Sequence, residues 1–194
     1  MFAMQTLAKK KKQLGMTLQE MMLVFVVVAI VTAIAVGVFN NLRGGVAADD
    51  MASKTLLLAS NIQKHWRNAG SYTTLTAEAV DKIALVEKPL RMQGTSLLDA
   101  WGNTMGISGG QSAFSITIGG ATNPINKEDC ATLANNLSSI ATSIRVGADA
   151  AVGSGATAGT ITGGNLFKNG TTIDQAALID GCNASDTIIA AQFR

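Results

Sequence analysis

The side chains that could carry out chemistry are few in this chain. Cys130 and Cys182 are the two cysteines, and His65 is the one histidine. A metal site needs several ligands close together, and His65 has no second ligand nearby in the sequence, so we expect it to be exposed or to cap a helix. A catalytic thiol needs an exposed, electropositive setting with a base at hand, and neither cysteine has one. With no nucleotide-binding loop either, the sequence predicts no enzymatic activity, no metal and no cofactor.

The two cysteines are better explained as a structural pair. An even pair in a chain with an export-type N-terminus suggests one disulfide formed in an oxidising compartment. It would close a loop of about 50 residues, worth on the order of 4 kcal/mol in the chain-entropy model. Cys130 shares a predicted helical face with Leu133 and Leu137, which places it on the buried side. The alternative is two buried free thiols.

One acid, Glu20, lies at the start of a long apolar stretch. Every residue from 21 to 39 is apolar or small except Thr32, and Lys9 to Lys12 precede the stretch. A helix of that length spans roughly 30 Å, the thickness of a bilayer core. The lysines should stay on the cytoplasmic side, so the rest of the chain should face outward. Placing a carboxylate at the start of such a helix costs free energy unless the charge is paired. This cost indicates that Glu20 has a function.

Two ordinary interpretations of this N-terminus remain open. A secretory signal could be cleaved after the small-x-small site at Ala33-Ile34-Ala35. The other interpretation is a plain single-span anchor. Two features argue against the signal. The apolar run continues through Phe39, and Glu20 lies where an ordinary signal gains nothing from an acid.

Gly15, the hydrophobic Met16 and Glu20, followed by about twenty apolar residues, resemble the class III signal of type IV prepilins. The resemblance implies that a membrane peptidase cuts between Gly15 and Met16 and that Met16 becomes the N-methylated first residue. Glu20 would then be the fifth mature residue, placed to pair with the Met16 amine of a neighbouring subunit. A methionine at this position and a leader of fifteen residues resemble the type IVb branch, which includes the toxin-coregulated, bundle-forming and conjugative thin pili.

Two further features of the chain are similar to this family. A turn of the form Asp99-x-Trp101-Gly102-Asn103 resembles one found in many pilins and pseudopilins. The placement of Cys130 and Cys182 resembles the disulfide-bounded C-terminal region of type IVb pilins. The resemblance implies an α+β fold, in which a long N-terminal α-helix packs on a globular head with an antiparallel β-sheet.

The chain divides into three predicted parts. Residues 1–15 form a cleaved basic leader, residues 16–70 a long helix whose residues 16–39 are the transmembrane or filament-core half, and residues 71–194 the head. Within the head, strict alternation predicts a half-buried strand at 114–118. Asn126 is a predicted helix N-cap, with apolar spacing that continues to Ile144. Residues 147–164 are predicted as a surface loop with one short strand at 160–162, and residues 187–193 as the last strand.

These features predict a structural subunit, a prepilin that polymerises with itself into an extracellular filament. The resemblance implies as partners a prepilin peptidase, an assembly ATPase and an inner-membrane platform. The precursor would be a single-pass protein of the bacterial inner membrane with its head in the periplasm. Removing the four leader lysines leaves 11 cations against 13 acids, so no basic stripe predicts nucleic-acid binding. The alternatives are a minor pilin or secretion pseudopilin and, from another class, a membrane-anchored binding or enzymatic domain.

Overall fold

The computed structural model describes residues 18–194, without the side chains of 18, 20 and 35–45. It contains two compact units, one that extends to Asn41 and one that comprises Leu42–Arg194. The described chain contains both helices and antiparallel sheets, which confirms the α+β class. Its α-helices are α1 (Leu18–Trp66), α2 (Ala77–Lys82), α3 (Lys127–Leu137) and α4 (Gln175–Cys182).

The first unit contains the apolar part of α1. The side chains of residues 21–34 are exposed, and eleven large apolar ones among them are at least 43% exposed, from Met21 to Ile34. Thr32 is the one hydroxyl in this stretch, and its Oγ1 donates to the main-chain oxygen of Val28 at 2.7 Å. Among the helical residues whose side chains are described, no stretch has both the length and the apolar character needed to cross a membrane.

The part of α1 that belongs to the second unit is amphipathic. Its buried residues recur every three or four positions, which places them on one helical face. The helix ends at Trp66, a few residues before the predicted end, and the chain turns at Gly70 with φ of 72°. The buried residues of this face are Ala48, Met51, Ala52, Thr55, Leu58, Ala59 and Ile62.

A six-stranded antiparallel sheet forms the centre of the second unit, in the order β10-β9-β6-β11-β5-β4. A three-stranded sheet β1-β2-β3 and a hairpin β7-β8 accompany it. The strands are β1 (Arg91–Gln93), β2 (Ser96–Leu98), β3 (Thr104–Met105), β4 (Ile107–Gly109), β5 (Phe114–Gly119), β6 (Ser143–Gly147), β7 (Ala151–Val152), β8 (Ile161–Thr162), β9 (Asn165–Asn169), β10 (Thr172–Ile173) and β11 (Ile188–Phe193).

The register of the central strands separates two faces. β11 pairs with β5 so that Phe193 lies opposite Phe114 and Ile189 opposite Ile118, and with β6 so that Ile189 lies opposite Val146. Side chains alternate between the faces of a sheet, so these apolar residues share one face. They form a single core with the buried faces of α1, α3 and α4. The predicted last strand is thereby confirmed.

The opposite face of the sheet is covered as well. It carries the small or polar side chains of Ser115, Thr117 and Ala190, all of them buried. The β7-β8 hairpin packs across the central strands β5, β6 and β11 on this side. The prediction of a half-buried strand at 114–118 is therefore correct in position and wrong in burial. The short strand predicted at 160–162 is present as β8, whereas the prediction of a surface loop for the rest of 147–164 is wrong, because this segment also contains β7 and folds over the sheet.

Helix ends in the head follow local capping chemistry. The Asn126 side chain accepts from the main-chain N–H of Asp129 at 2.8 Å, which confirms the predicted N-cap of α3. The helix ends at Leu137, and the apolar residues beyond it divide: Ile140 is 44% exposed, and Ile144 is buried in β6. The predicted continuation of the helical face to Ile144 is therefore wrong, because the later apolar positions follow the period of a strand.

Candidate functional site

The cysteine pair joins α3 to α4. Cys130 on α3 and Cys182 at the end of α4 form a disulfide with Sγ–Sγ at 1.97 Å and Cα–Cα at 5.8 Å. Both are buried, at 0% and 4% exposure. The prediction of a disulfide is confirmed, and the alternative of free thiols is wrong. The bond bounds a segment that contains β6 to β10 and the covering hairpin.

Glycine allows α4 to approach the sheet closely. A Cβ placed on Gly181 would lie 2.5 Å from the main-chain oxygen of Val146 on β6 and 2.8 Å from its Cβ. Any other residue at 181 would push α4 away from β6. This contact holds the neighbouring Cys182 at a fixed distance from the sheet, so backbone packing and the disulfide together fix the position of α4.

The Asp99-Ala100-Trp101-Gly102-Asn103 turn is organised by a buried carboxylate. Asp99 is 0% exposed. Its Oδ1 accepts from the main-chain N–H groups of Trp101 at 3.0 Å and Asn103 at 2.8 Å. Its Oδ2 accepts from Gly119 N–H at 2.9 Å and from Asn103 Nδ2 at 3.3 Å. Four donors satisfy a carboxylate that would otherwise be costly to bury.

This turn also ties distant segments together. Asn103 exchanges two hydrogen bonds with the backbone of Asn123: its Nδ2 donates to the oxygen, and its Oδ1 accepts from the N–H, each at 2.9 Å. Gly102 has φ of 92°, which a side chain would disfavour. Through Asp99 and Asn103, the turn connects the end of β5 at Gly119 to the loop before α3. The role of the turn is therefore to hold three segments of the head in register.

The covering hairpin is held by small residues and by side-chain bonds that the sequence pattern does not reveal. Ser108 Oγ on β4 donates to the Gly153 oxygen at 2.5 Å and accepts from Gly159 N–H at 3.1 Å. Gln192 Nε2 on β11 donates to the Gly159 oxygen at 2.9 Å. A Cβ on Gly159 would lie 2.3 Å from the Ala113 oxygen. The glycines of this segment therefore permit the backbones of neighbouring segments to pack closely. The same glycine-rich composition is also typical of exposed loops, so composition alone does not reveal this packing.

Asp129 lies in the first turn of α3 and is 2% exposed. Burial raises the pKa of its carboxyl group, Asn126 opposes this effect through the hydrogen bond from its Nδ2 at 2.8 Å, and the acids Glu128 and Asp49 add to the increase in pKa. The helix dipole favours a negative charge in the first turn of α3, whereas burial disfavours it. The two effects on the ionised form of Asp129 therefore oppose each other.

Within residues whose side chains are described, no three His, Cys, Asp or Glu residues lie close enough to hold a metal ion. His65 is exposed in the last turn of α1, as the sequence predicts. The clefts on the head are open to solvent. One of about 580 Å³ lies between α1 and α3, and one of about 370 Å³ lies at the end of α1, where it is lined by Lys64 and Arg67.

No protein-family model matches the chain, and no curated protein is similar to it in sequence. Among solved structures, the chain is similar to the crystal structure of TcpA, a type IV pilin from Vibrio cholerae El Tor biotype. The TM-score is 0.51 at 16% sequence identity, and the match covers 76% of this chain and 99% of that chain. The chain has the fold of a type IV pilin.

The residues that the sequence links to pilin processing lie at the limit of the structure. Gly15 and Met16 are outside the described residues. Glu20 belongs to α1, but its side chain is not among those described. The predicted cleavage, methylation and pairing therefore remain predictions.

Proposed function

We propose that this protein is a structural subunit of a type IV pilus, of the type IVb branch. The observation that carries the proposal is the type IV pilin fold of a chain whose sequence has a prepilin-like signal at Gly15 to Glu20. A pilin subunit works by packing against copies of itself, so it needs a stable head and an apolar helix rather than a catalytic centre. The buried core and the exposed apolar residues 21–34 fit that task.

Maturation is the first step of the proposed pathway. A prepilin peptidase removes residues 1–15, and Met16 is N-methylated. Before assembly, residues 16–39 hold the subunit in the inner membrane, with the head of residues 71–194 in the periplasm. An assembly ATPase and a membrane platform then move the helix from lipid into a filament core. The apolar surface exchanges lipid for protein and never meets water, so little hydrophobic free energy has to be supplied.

Glu20 has a specific role in this scheme. Cleavage creates a positive amine at Met16, and the carboxylate of Glu20 in a neighbouring subunit neutralises it. Removing one partner of a buried ion pair costs about 3–5 kcal/mol. We therefore expect Glu20→Ala to retain membrane insertion and cleavage and to abolish filaments, measured as protein sheared from the cell surface. Glu20→Asp, which keeps the charge, is the matched control. Normal filaments from Glu20→Ala would contradict the pairing.

The test of the proposal is N-terminal mass analysis of the mature protein from the producing bacterium. We expect a chain that begins at methylated Met16. A chain that begins at Val36 would mean an ordinary secreted protein, and the filament proposal would be wrong. An intact Met1 would leave a membrane-anchored head and would favour the binding-domain alternative. Copy number in sheared fibres then distinguishes a major pilin from a minor pilin or pseudopilin.

A further inference from the structure

We propose that Asn169 is a site of spontaneous deamidation and that the turn between β9 and β10 controls its rate. Asn169 is the one asparagine of the chain that is followed by glycine, and both residues are exposed. In this reaction the main-chain nitrogen of Gly170 attacks the side-chain carbonyl carbon of Asn169. Glycine favours the attack because it has no Cβ to hinder the approach of its nitrogen. The inference concerns the head alone and does not depend on assembly of a filament.

The reaction consumes water and needs no other reactant. Hydroxide takes the amide proton of Gly170, the nitrogen forms a bond to Cγ of Asn169, and the bond between Cγ and Nδ2 breaks. Nδ2 takes a proton from water and leaves as ammonia, so that a five-membered succinimide ring remains. Water then adds to either carbonyl carbon of the ring and opens it, which gives aspartate or isoaspartate. No atom is oxidised or reduced, so the solvent supplies everything that the reaction requires.

The folded turn holds Asn169 in a conformation that does not react. Asn169 pairs with Thr172 on β10 and with Ser143 on β6, so its main chain is extended. The N–H of Gly170 donates to the main-chain oxygen of Thr142 at 2.8 Å. This hydrogen bond holds the proton that the reaction must remove, and closing the ring rotates the nitrogen away from Thr142. The turn therefore has to open before Asn169 reacts.

The turn belongs to a part of the head that opens easily. β10 has two residues, both of them exposed, and it lies at the edge of the six-stranded sheet. Gly170 has φ of 60° at the first of the two loop positions, as a type II′ hairpin turn requires. A Cβ placed on Gly170 would meet no atom within 4 Å, so nothing packs over the turn at this point. Opening such a short edge strand costs much less free energy than unfolding the head.

Other asparagines of the head lack this combination of features. Asn183 is exposed at the end of α4, but it is followed by alanine, whose Cβ hinders the attack. Asn103 is 3% exposed, and both polar atoms of its side chain form hydrogen bonds. Asn126 accepts a hydrogen bond as the N-cap of α3. We therefore expect the folded head to deamidate selectively at Asn169.

Deamidation changes both the charge and the backbone of the turn. No Asp or Glu occurs between Asp149 and Asp174, so the new carboxylate places negative charge in a segment that has no acid. Isoaspartate also routes the main chain through the former side chain, which adds an extra carbon atom before Gly170. The Gly170 N–H is then out of register with the Thr142 oxygen, so the product keeps the turn open. The modification is a one-way change that accumulates with the age of the protein.

The experiment follows the full-length protein in detergent, with the disulfide intact, during incubation in mildly alkaline buffer. Samples are digested with pepsin in acid, where the amide nitrogen keeps its proton, and the Asn169 peptide is measured by mass spectrometry. We expect aspartate and isoaspartate at Asn169 and none at Asn183 over the same time. In urea that unfolds the head, the same chain should convert at least roughly tenfold faster, since the turn is then always open. Asn169→Gln should abolish the product, because the longer side chain would have to form a less favourable six-membered ring.

A second pair of variants tests control by the turn. Thr172→Pro removes a main-chain donor from β10 and should accelerate conversion at least roughly threefold. Thr171→Ala, an exposed change in the same turn that keeps its main-chain donors, is the matched control and should leave the rate unchanged. Near-ultraviolet circular dichroism checks that each variant folds, and the comparison in urea tests the same point if Thr172→Pro does not fold.

Three results would overturn the proposal. If Asn169 stayed intact in the folded protein after the unfolded chain had converted, the fold would close the site completely. Equal rates in the folded and unfolded chain would show that the Gly170–Thr142 hydrogen bond does not restrain the reaction. Conversion of Asn183 as fast as that of Asn169 would show that the glycine and the edge turn confer no selectivity.

Discussion

Replacing Asp99 by Asn should destabilise the head more than its small change in shape suggests. Each Asp99 oxygen accepts two hydrogen bonds, at 2.8 Å and 3.0 Å for Oδ1 and at 2.9 Å and 3.3 Å for Oδ2. An Asn amide keeps one acceptor oxygen and turns an NH₂ group toward two other donors. Either orientation leaves two donors without an acceptor in a buried site.

The magnitude follows from the bonds that are lost. A hydrogen bond to a charged group contributes about 1.5–3 kcal/mol, and a buried donor left unpaired costs about 1–3 kcal/mol. Neutralising the side chain removes the cost of burying its charge, which offsets part of this. With two bonds lost, we expect the free energy of unfolding to fall by about 3 kcal/mol. At a urea dependence of about 2 kcal/mol per M, the midpoint would fall by about 1.5 M.

The assay is urea unfolding of the full chain in detergent with the disulfide intact. Unfolding is monitored by the near-ultraviolet circular dichroism of Trp66 and Trp101. Asp149→Asn is the control, since Asp149 is exposed and accepts one hydrogen bond, from Gly164 N–H at 2.9 Å. It should cost less than about 1 kcal/mol. If Asp99→Asn cost no more than this control, the carboxylate would not be organising the turn and the reasoning would be refuted.

Three further stability changes are expected from the same assay. Thr55 is 0% exposed, and its hydroxyl has no hydrogen-bond partner within the described structure. Thr55→Val should therefore raise the free energy of unfolding by about 1 kcal/mol. Thr55→Ser, which keeps the hydroxyl, should not raise it. Removing the disulfide with Ser at both Cys130 and Cys182 should cost about 4 kcal/mol for a loop of 52 residues; a loss under about 1 kcal/mol would contradict the loop-closure account. Burial raises the pKa of Asp129 in the folded state, so the folded chain binds the proton more tightly, and stability from this group rises as pH falls through its folded value. Asp129→Asn should therefore flatten stability against pH in the acidic range, and an unchanged profile would show that another group titrates.

Features set by neighbouring residues could be predicted from the sequence. Asn126 and the acids after it specify the start of α3 through capping and the helix dipole, and the structure shows that cap. The alternation from Phe114 to Ile118 gives a strand because its period is two. With two cysteines in the chain, a single pairing is possible. The helix cap and the strand depend on residues that are close in the sequence, and two cysteines allow one pairing. A single sequence is therefore enough to predict all three features.

Features that depend on contacts between distant segments could not be predicted in this way. Asp99 bonds Gly119, twenty residues away, and spacing alone gives no reason for that partner. The sequence predicts β8 but neither its partner β7 nor the packing of the hairpin on the sheet, because Gly, Ala, Ser and Thr are typical of exposed loops. At Gly159 the small residue instead permits packing against the Ala113 oxygen.

The disulfide between Cys130 and Cys182 also has a mechanical consequence. In the proposed filament, tension would pull on each subunit, and a domain that unfolds under load lengthens by the contour of the released chain. The closed loop between the two cysteines spans 52 positions, or about 170–190 Å at 3.3–3.6 Å per residue. A force applied to the chain on either side of the loop is transmitted through the sulfur–sulfur bond. The residues of the loop therefore cannot extend while the disulfide is intact. A subunit with this bond therefore yields less under load than one without it, and reduction should make the same fibre more extensible.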